Sequence, residues 1–216
     1  MVQSSRKSSA VPEPTIRRMP SYLSYVKVLK KKGQQFVSST QIANYMNIDS
    51  TQVTKDLSYT SIVGKTRVGY EVEALVEVLS NFLGFTVMDD AFLIGAGSLG
   101  SALLHDNGLS QFGLNIVAAF DVDPSTIGKN VNGVEVYHID QFRDLAQQMN
   151  VIMGILTVPA ENAQTVADLM VAWGIKAIWN FTPARIKVPD EIIVQNTTIY
   201  SNLAVIFNKL HADRKE

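Results

Sequence analysis

Apolar residues recur every three to four positions from about Thr15 to Lys32, with Tyr22, Tyr25, Val26 and Leu29 on one face. This spacing predicts a helix, and Gly33 stops it. Residues 38–59, SSTQIANYMNIDSTQVTKDLSY, carry two shorter bursts. Ser39 is expected to cap a helix burying Ile42, Ala43 and Met46. Asn47 tolerates the left-handed turn that follows, and Asp49 or Ser50 caps a second helix with Val53 and Leu57 inward. Helical spacing returns over residues 71–83 at Val72, Leu75, Val76, Leu79, Phe82 and Leu83, until Gly84. Residues 84–90 read as a hinge.

Beyond residue 90 the pattern changes to short apolar runs separated by helical stretches. AFLI (91–94) reads as a buried strand running into a glycine turn, and SLGSALL (98–104) as the start of a helix. NIVAAFDVD (115–123) is a second strand, VIMGILTVP (151–159) a third, KAIWNFTP (176–183) a fourth and IIVQNTTI (192–199) a last. Pro159 and Ala160 open a helix with Val166, Leu169 and Met170 inside. Repeated strand–helix units predict a Rossmann-type doubly wound parallel sheet, so the whole chain is α/β.

Two short helices, a tight turn and small residues at the crossing describe a helix-turn-helix. Its second helix would present Ser50, Thr51, Gln52, Thr54, Lys55 and Tyr59 to base edges or phosphates, with Ser39, Arg17 and Arg18 as further contacts. VGKTRVGYEV (63–72) reads as a basic hairpin, a wing that ends at Tyr70. Lys65 would neutralise phosphate and Arg67 would enter a narrow minor groove. Charge agrees with this reading. Residues 1–85 carry a balance of +5 and residues 86–216 a balance of −6, although the whole chain stands at −1. A basic front suits nucleic acid.

The glycine turn carries the second chemistry. Gly95, Ala96, Gly97, Ser98, Leu99 and Gly100 make a G-x-G-x-x-G between strand and helix. The first glycine allows a sharp turn, the second lets a pyrophosphate approach the backbone, and the third lets helix pack on strand. Free amides at the helix start favour an anion. Asp121, with Val122 beside it, stands about twenty residues on, where a carboxylate accepts hydrogen bonds from the ribose hydroxyls and repels a 2′-phosphate. The expected ligand is therefore NAD(H) rather than NADP(H). Thr157, Val158, Pro159, Asn180, Phe181 and Thr182 fall at strand ends that open on the same mouth.

Composition narrows the class. The chain has 216 residues, 46% apolar and none of them cysteine, so disulfides and thiolate metal sites are absent. No apolar run reaches membrane-spanning length, and the N-terminus lacks the apolar stretch of a secretory signal, so the cytoplasm is the expected compartment. His105, His138 and His211 are scattered, with no clear carboxylate partner or metal-ligand spacing. No catalytic set and no metal site is expected, and few residues remain for a substrate domain. The expected product is a sensor rather than an enzyme. The competing readings are an NAD-dependent oxidoreductase with an N-terminal interaction domain, and a regulator sensing coenzyme A or another adenine nucleotide. The expected divisions are an arm over 1–13, a winged-helix domain over 14–85, a nucleotide-binding domain over 86–199 and a C-terminal helix over 200–216.

Read together, VTKDLSY (53–59), GKTRVGY (64–70), LIGAGSLGSALL (93–104), AAFDVDPSTIG (118–128), ILTVPAENAQTVAD (155–168) and IKAIWNFTP (175–183) resemble the redox-sensing transcriptional repressors of the Rex family. The resemblance runs from about residue 14 to 208. It implies a homodimer on a palindromic operator, binding loosened by NADH while NAD+ competes for the site, and a C-terminal helix, about Tyr200 to His211, swapped between subunits for dimerisation. It places the pyrophosphate at Gly95 to Gly100, the ribose at Asp121, and the nicotinamide near Thr157, Pro159 and Asn180 to Thr182. Some positions depart from it. Many members carry an arginine on the first helix, a tyrosine after the glycine-turn helix and an aspartate before the C-terminal helix; here these places hold Ser24, Asp106 and Thr198. Thr54 stands where a base-reading arginine is usual, and NFAP reads NFTP.

Overall fold

The computed structural model describes residues 11–212, and the chain divides into two compact units, 1–87 and 88–216. Residues 1–10 of the expected arm and 213–216 of the expected C-terminal helix lie outside the described residues. Helix α1 (Glu13–Lys31) begins two residues before the expected Thr15, with Pro14 in its first turn.

In the first unit, the periodic face of α1 buries Met19, Tyr22, Leu23, Val26 and Leu29. Strand β1 (Phe36–Val37) leads into α2 (Ser39–Met46), and α3 (Ser50–Leu57) follows a tight turn. Asn47 is left-handed there, at φ 53°. The cap of α2 is Ser38, not Ser39: the Ser38 hydroxyl accepts from the Gln41 amide at 3.0 Å. Asp49 caps α3 through the Thr51 amide at 2.7 Å. Strand β2 (Tyr70–Glu71) runs directly into α4 (Val72–Phe82), whose Val72, Leu75 and Leu79 close the core.

The wing differs from a simple hairpin over 63–72. Only Lys65 and Gly69 bridge, by a reciprocal pair of backbone bonds at 2.8 and 2.9 Å, with Arg67 at the tip at φ 63°. Strand β2 pairs with β1 instead, antiparallel, Val37 opposite Tyr70. Gly69 seals that junction: at φ 100° a Cβ there would lie 2.4 Å from the Val37 carbonyl oxygen.

The second unit is a seven-stranded sheet in the order β5-β6-β4-β3-β7-β8-β9. Its strands are β3 (Asp89–Ile94), β4 (Leu114–Asp121), β5 (Asn130–Val131), β6 (Val134–His138), β7 (Met153–Leu156), β8 (Ala177–Asn180) and β9 (Ile193–Asn196). All neighbours are parallel except β5 with β6. Each expected strand after the first is shorter than read, and β5 and β6 were not expected. They form a hairpin on Asn132 (φ 53°) and Gly133 (φ 89°), a turn that needs two positive φ angles and takes Asn-Gly.

Helices α5 (Ser98–Leu104), α6 (Phe142–Met149) and α7 (Ala163–Ala172) connect the strands. Alternation along β3 splits the core in two: Phe92 and Ile94 pack with Phe120, Phe142 and Met170, while Ala91 and Leu93 pack with Ala119 and Ile155. The rings of Phe92, Phe120 and Phe142 meet at 4.8–5.4 Å. The chain order reverses at β3, between β4 and β7, and there the strand ends open a crevice. Helix α8 (Ile199–Ala212) ends the described chain with Tyr200, Leu203, Ile206, Phe207 and Leu210 exposed. None of the described helices is long and apolar enough to cross a membrane.

Candidate functional site

Each glycine of the turn has a distinct steric reason. Gly95 stands at φ 103°, and a Cβ there would lie 2.8 Å from the Thr157 carbonyl carbon. A Cβ on Gly100 would lie 2.0 Å from the Gly95 oxygen, so α5 can lie this close to the turn only through glycine. Gly97 has nothing within 4 Å of its open side, which leaves its backbone free to meet a phosphate. Two side chains brace the turn. The Thr157 hydroxyl donates to the Gly95 carbonyl at 2.7 Å, and Asp121 accepts the Ala96 amide at 2.7 Å. Asp121 also accepts the amides of Val122 and Asp123, at 2.7 and 3.0 Å.

Two clefts meet along Thr157, Val158 and Pro159. The larger, about 470 Å³, runs from Gly95 and Gly97 past Asp121 and Val122 to Ile139 and Val166. The smaller, about 310 Å³, runs from Leu99 to Phe181, Thr182, Thr198 and Tyr200. A bilobed cavity beside a glycine turn has the shape for a dinucleotide, with a carboxylate in one lobe and an aromatic ring in the other. Sequence reasoning missed Thr126, Ile139, Asn162 and Thr165 in the first lobe and Pro183 and Tyr200 in the second. Ile139 follows β6, so recognising the Asn-Gly hairpin would have exposed it.

Four of the expected cofactor residues line neither lobe. Ala96 is turned to Asp121, Gly100 underlies the turn, and Ser98 stands apart. Asn180 is fully buried and spends its amide inside the protein. It donates to the Ala184 carbonyl at 2.9 Å and to Asn196 at 2.8 Å, and accepts from the Thr182 amide and hydroxyl. Its part is to shape the loop that carries Phe181 and Thr182.

In the first unit, Thr51, Thr54 and Lys55 of α3 are exposed, as are Lys65 and Arg67 of the wing. Lys55, Lys65 and Arg67 make no ion pair among the described residues. Several other expected contacts are engaged within the protein. Arg17 pairs with Glu13 at 2.6 Å, Arg18 with Asp56 at 2.7 Å, and Gln52 donates to Asp56 at 2.8 Å. The hydroxyl of Thr51 donates to Asp49, and that of Thr54 to the Ser50 carbonyl. Ser39 and Ser50 are half-buried, and Tyr59 and Tyr70 pack against the core.

The positions that depart from the resemblance make local bonds. Asp106 accepts the Gly108 amide at 2.7 Å, Thr198 meets Ser201 at 2.6 Å, and Ser24 is exposed on α1. One histidine corrects the expectation that none has a carboxylate neighbour: His138 ends β6 with its Nδ1 3.1 Å from Asp140. Asp140 is 85% exposed, and the His138 ring caps the helical turn that follows by accepting the Asp140 amide at 3.3 Å.

Two family models match the chain. The first, "CoA binding domain", covers residues 86–184, and the second, "Putative DNA-binding protein N-terminus", covers 10–58. Among curated proteins, a redox-sensing transcriptional repressor Rex of Bacteroides fragilis is 59% identical over 98% of this chain and 96% of its own length. Another, of Porphyromonas gingivalis, is 54% identical over 96% and 95%. Among solved structures, the Rex-family repressor RSP in complex with NAD+ and operator DNA matches with a TM-score of 0.89 at 33% identity, over 94% of each chain. RSP with NADH matches at 0.85 and 32%, over 95% of this chain and 97% of that one.

A winged helix-turn-helix and a dinucleotide-type cleft on one chain define a ligand-responsive transcription regulator. The chain belongs to the Rex family of redox-sensing transcriptional repressors.

Proposed function

We propose that this protein represses transcription as a homodimer on a palindromic operator, and that NADH in the bilobed cleft loosens its hold while NAD+ competes for the same place. The observation that carries this is the pairing, on one chain, of the braced glycine turn with an exposed cationic surface on α3 and the wing. RSP, one-third identical across nearly the whole chain, is known with NAD+ and operator DNA and with NADH. Asp121 takes the adenosine ribose, Gly97 faces the pyrophosphate, and Pro159, Phe181 and Thr182 receive the nicotinamide. Lys55, Lys65 and Arg67 meet the duplex. The exposed apolar row of α8 is covered by a second copy. The cytoplasm, where chromosome and nicotinamide pool meet, is its compartment.

NADH can release DNA only by preferring a dimer geometry that misplaces the two recognition helices. Gel shifts with the protein's own promoter at several fixed NADH/NAD+ ratios test this. Affinity should fall as the ratio rises; equal effects of the two nucleotides end the redox reading. The family model described as CoA-binding covers the cleft, so coenzyme A belongs in the same titration as a competitor. Displacement of NADH by micromolar coenzyme A would favour the adenine-nucleotide alternative.

A further inference from the structure

Five hydrogen bonds converge on one buried carboxylate where α1 crosses α3. Asp56 is 0% exposed. Its Oδ1 accepts from Thr15 Oγ1 at 2.9 Å, Arg18 Nη2 at 2.8 Å and Gln52 Nε2 at 2.8 Å. Its Oδ2 accepts from Arg18 Nε and from the Tyr22 hydroxyl, both at 2.7 Å. Thr15, Arg18 and Tyr22 lie three and four residues apart on one face of α1, and Gln52 lies one turn before Asp56 on α3. A carboxylate offers about four lone-pair positions, so this one has no capacity left for a ligand. Burial alone would raise its pKa; the bonds from Arg18, Tyr22, Thr15 and Gln52 outweigh that and hold it at about 2.

Ridges-into-grooves apolar packing sets helix crossing angles only to within about 15–20°. A saturated, bidentate ion pair accepts only one orientation. The face of α3 turned inward holds Val53, Asp56 and Leu57, and the face turned outward holds Thr51, Thr54 and Lys55. Reading base edges needs such groups placed within about 0.5 Å. We infer that Asp56, Arg18 and Tyr22 are positioning residues that set the angle at which α3 meets the duplex, and that Arg18 and Gln52 neutralise Asp56 instead of touching DNA. This rests on the reading of α3 as the helix that enters the groove.

The full-length protein decides it, with an operator selected from random duplexes by the parent and a scrambled duplex of equal length. Tyr22→Phe keeps the packed ring and removes one O–H from a residue that no DNA can reach. Its operator affinity should fall roughly three- to tenfold. Its scrambled-duplex affinity, NADH affinity and circular dichroism should match the parent's. Unchanged operator affinity overturns the inference. Arg18→Gln should give a larger loss of discrimination with an unchanged slope of log affinity against log salt. If Arg18 instead touches phosphate, the slope shallows by about 0.9 per subunit, with equal loss on both duplexes. That result also overturns the inference. Should Arg18→Gln not fold, Tyr22→Phe alone decides. Lys55→Ala tests the underlying reading separately: weaker operator binding with a shallower slope supports α3 as the reader, and no change on either duplex refutes it.

Discussion

Asp121 accepts three backbone N–H groups, from Ala96, Val122 and Asp123, so one lone-pair position remains for a ribose hydroxyl. The same side chain holds the turn in shape and, in the proposed role, binds the sugar. Asp121→Ala should weaken NADH about 10- to 100-fold, the worth of a hydrogen bond to a charged group, and leave nucleotide-free operator binding intact. Calorimetry with NADH, beside an operator titration, checks both halves. Asp56 makes a second prediction. Its carboxyl is held at about 2, against an ordinary 3.8, so its contribution is complete above pH 4 and drains away as the pH falls towards 2. The contribution is about 2 kcal/mol. Urea unfolding of the first unit across that window should show the loss, and Asp56→Asn should flatten it. Neither arrangement is equally readable in the chain. Asp121 follows its glycine turn at a known interval, whereas Asp56 and Arg18 stand 38 residues apart and meet only once α1 and α3 have packed.

At the scale of elements, legibility followed the strength of the local pattern. The helices α1 to α4 stood out because each buries a periodic stripe, and Asn47 and Asp49 mark a turn and a cap by their own chemistry. Strand β1 is two residues long, too short for any period to register, so the partner of the wing strand stayed hidden. The β5–β6 hairpin was legible and overlooked: Asn132-Gly133 between apolar alternations marks such a turn. Asn180 sat correctly at a strand end, but its burial comes from Thr182, Ala184 and Asn196 folding over it. Helix α8 presents the remaining prediction at this scale. Its apolar row should be an interface, so Leu203→Glu with Phe207→Glu should yield monomers in sedimentation. Operator binding should then fall about 100-fold or more as the second half-site is lost. A dimer that survives both charges removes α8 from the interface.

For the molecule as a whole, two ligands acting through the proposed dimer must obey linkage. If NADH lowers operator affinity by a given factor, operator must lower NADH affinity by the same factor, and couplings of this kind run at about 5–150-fold. Titrating NADH into protein alone and into the protein–operator complex measures the second factor directly; unequal factors would mean a third species in the scheme. The brace on the glycine turn bears on timing. With Thr157 and Asp121 already holding Gly95 and Ala96, the cradle has no ordering step to complete when a guest arrives. Stopped-flow mixing with NADH should therefore give a single phase linear in concentration. A swing in the cell's electron supply would then register in the cleft as fast as the old occupant departs, with no slower rearrangement of the cradle to wait for.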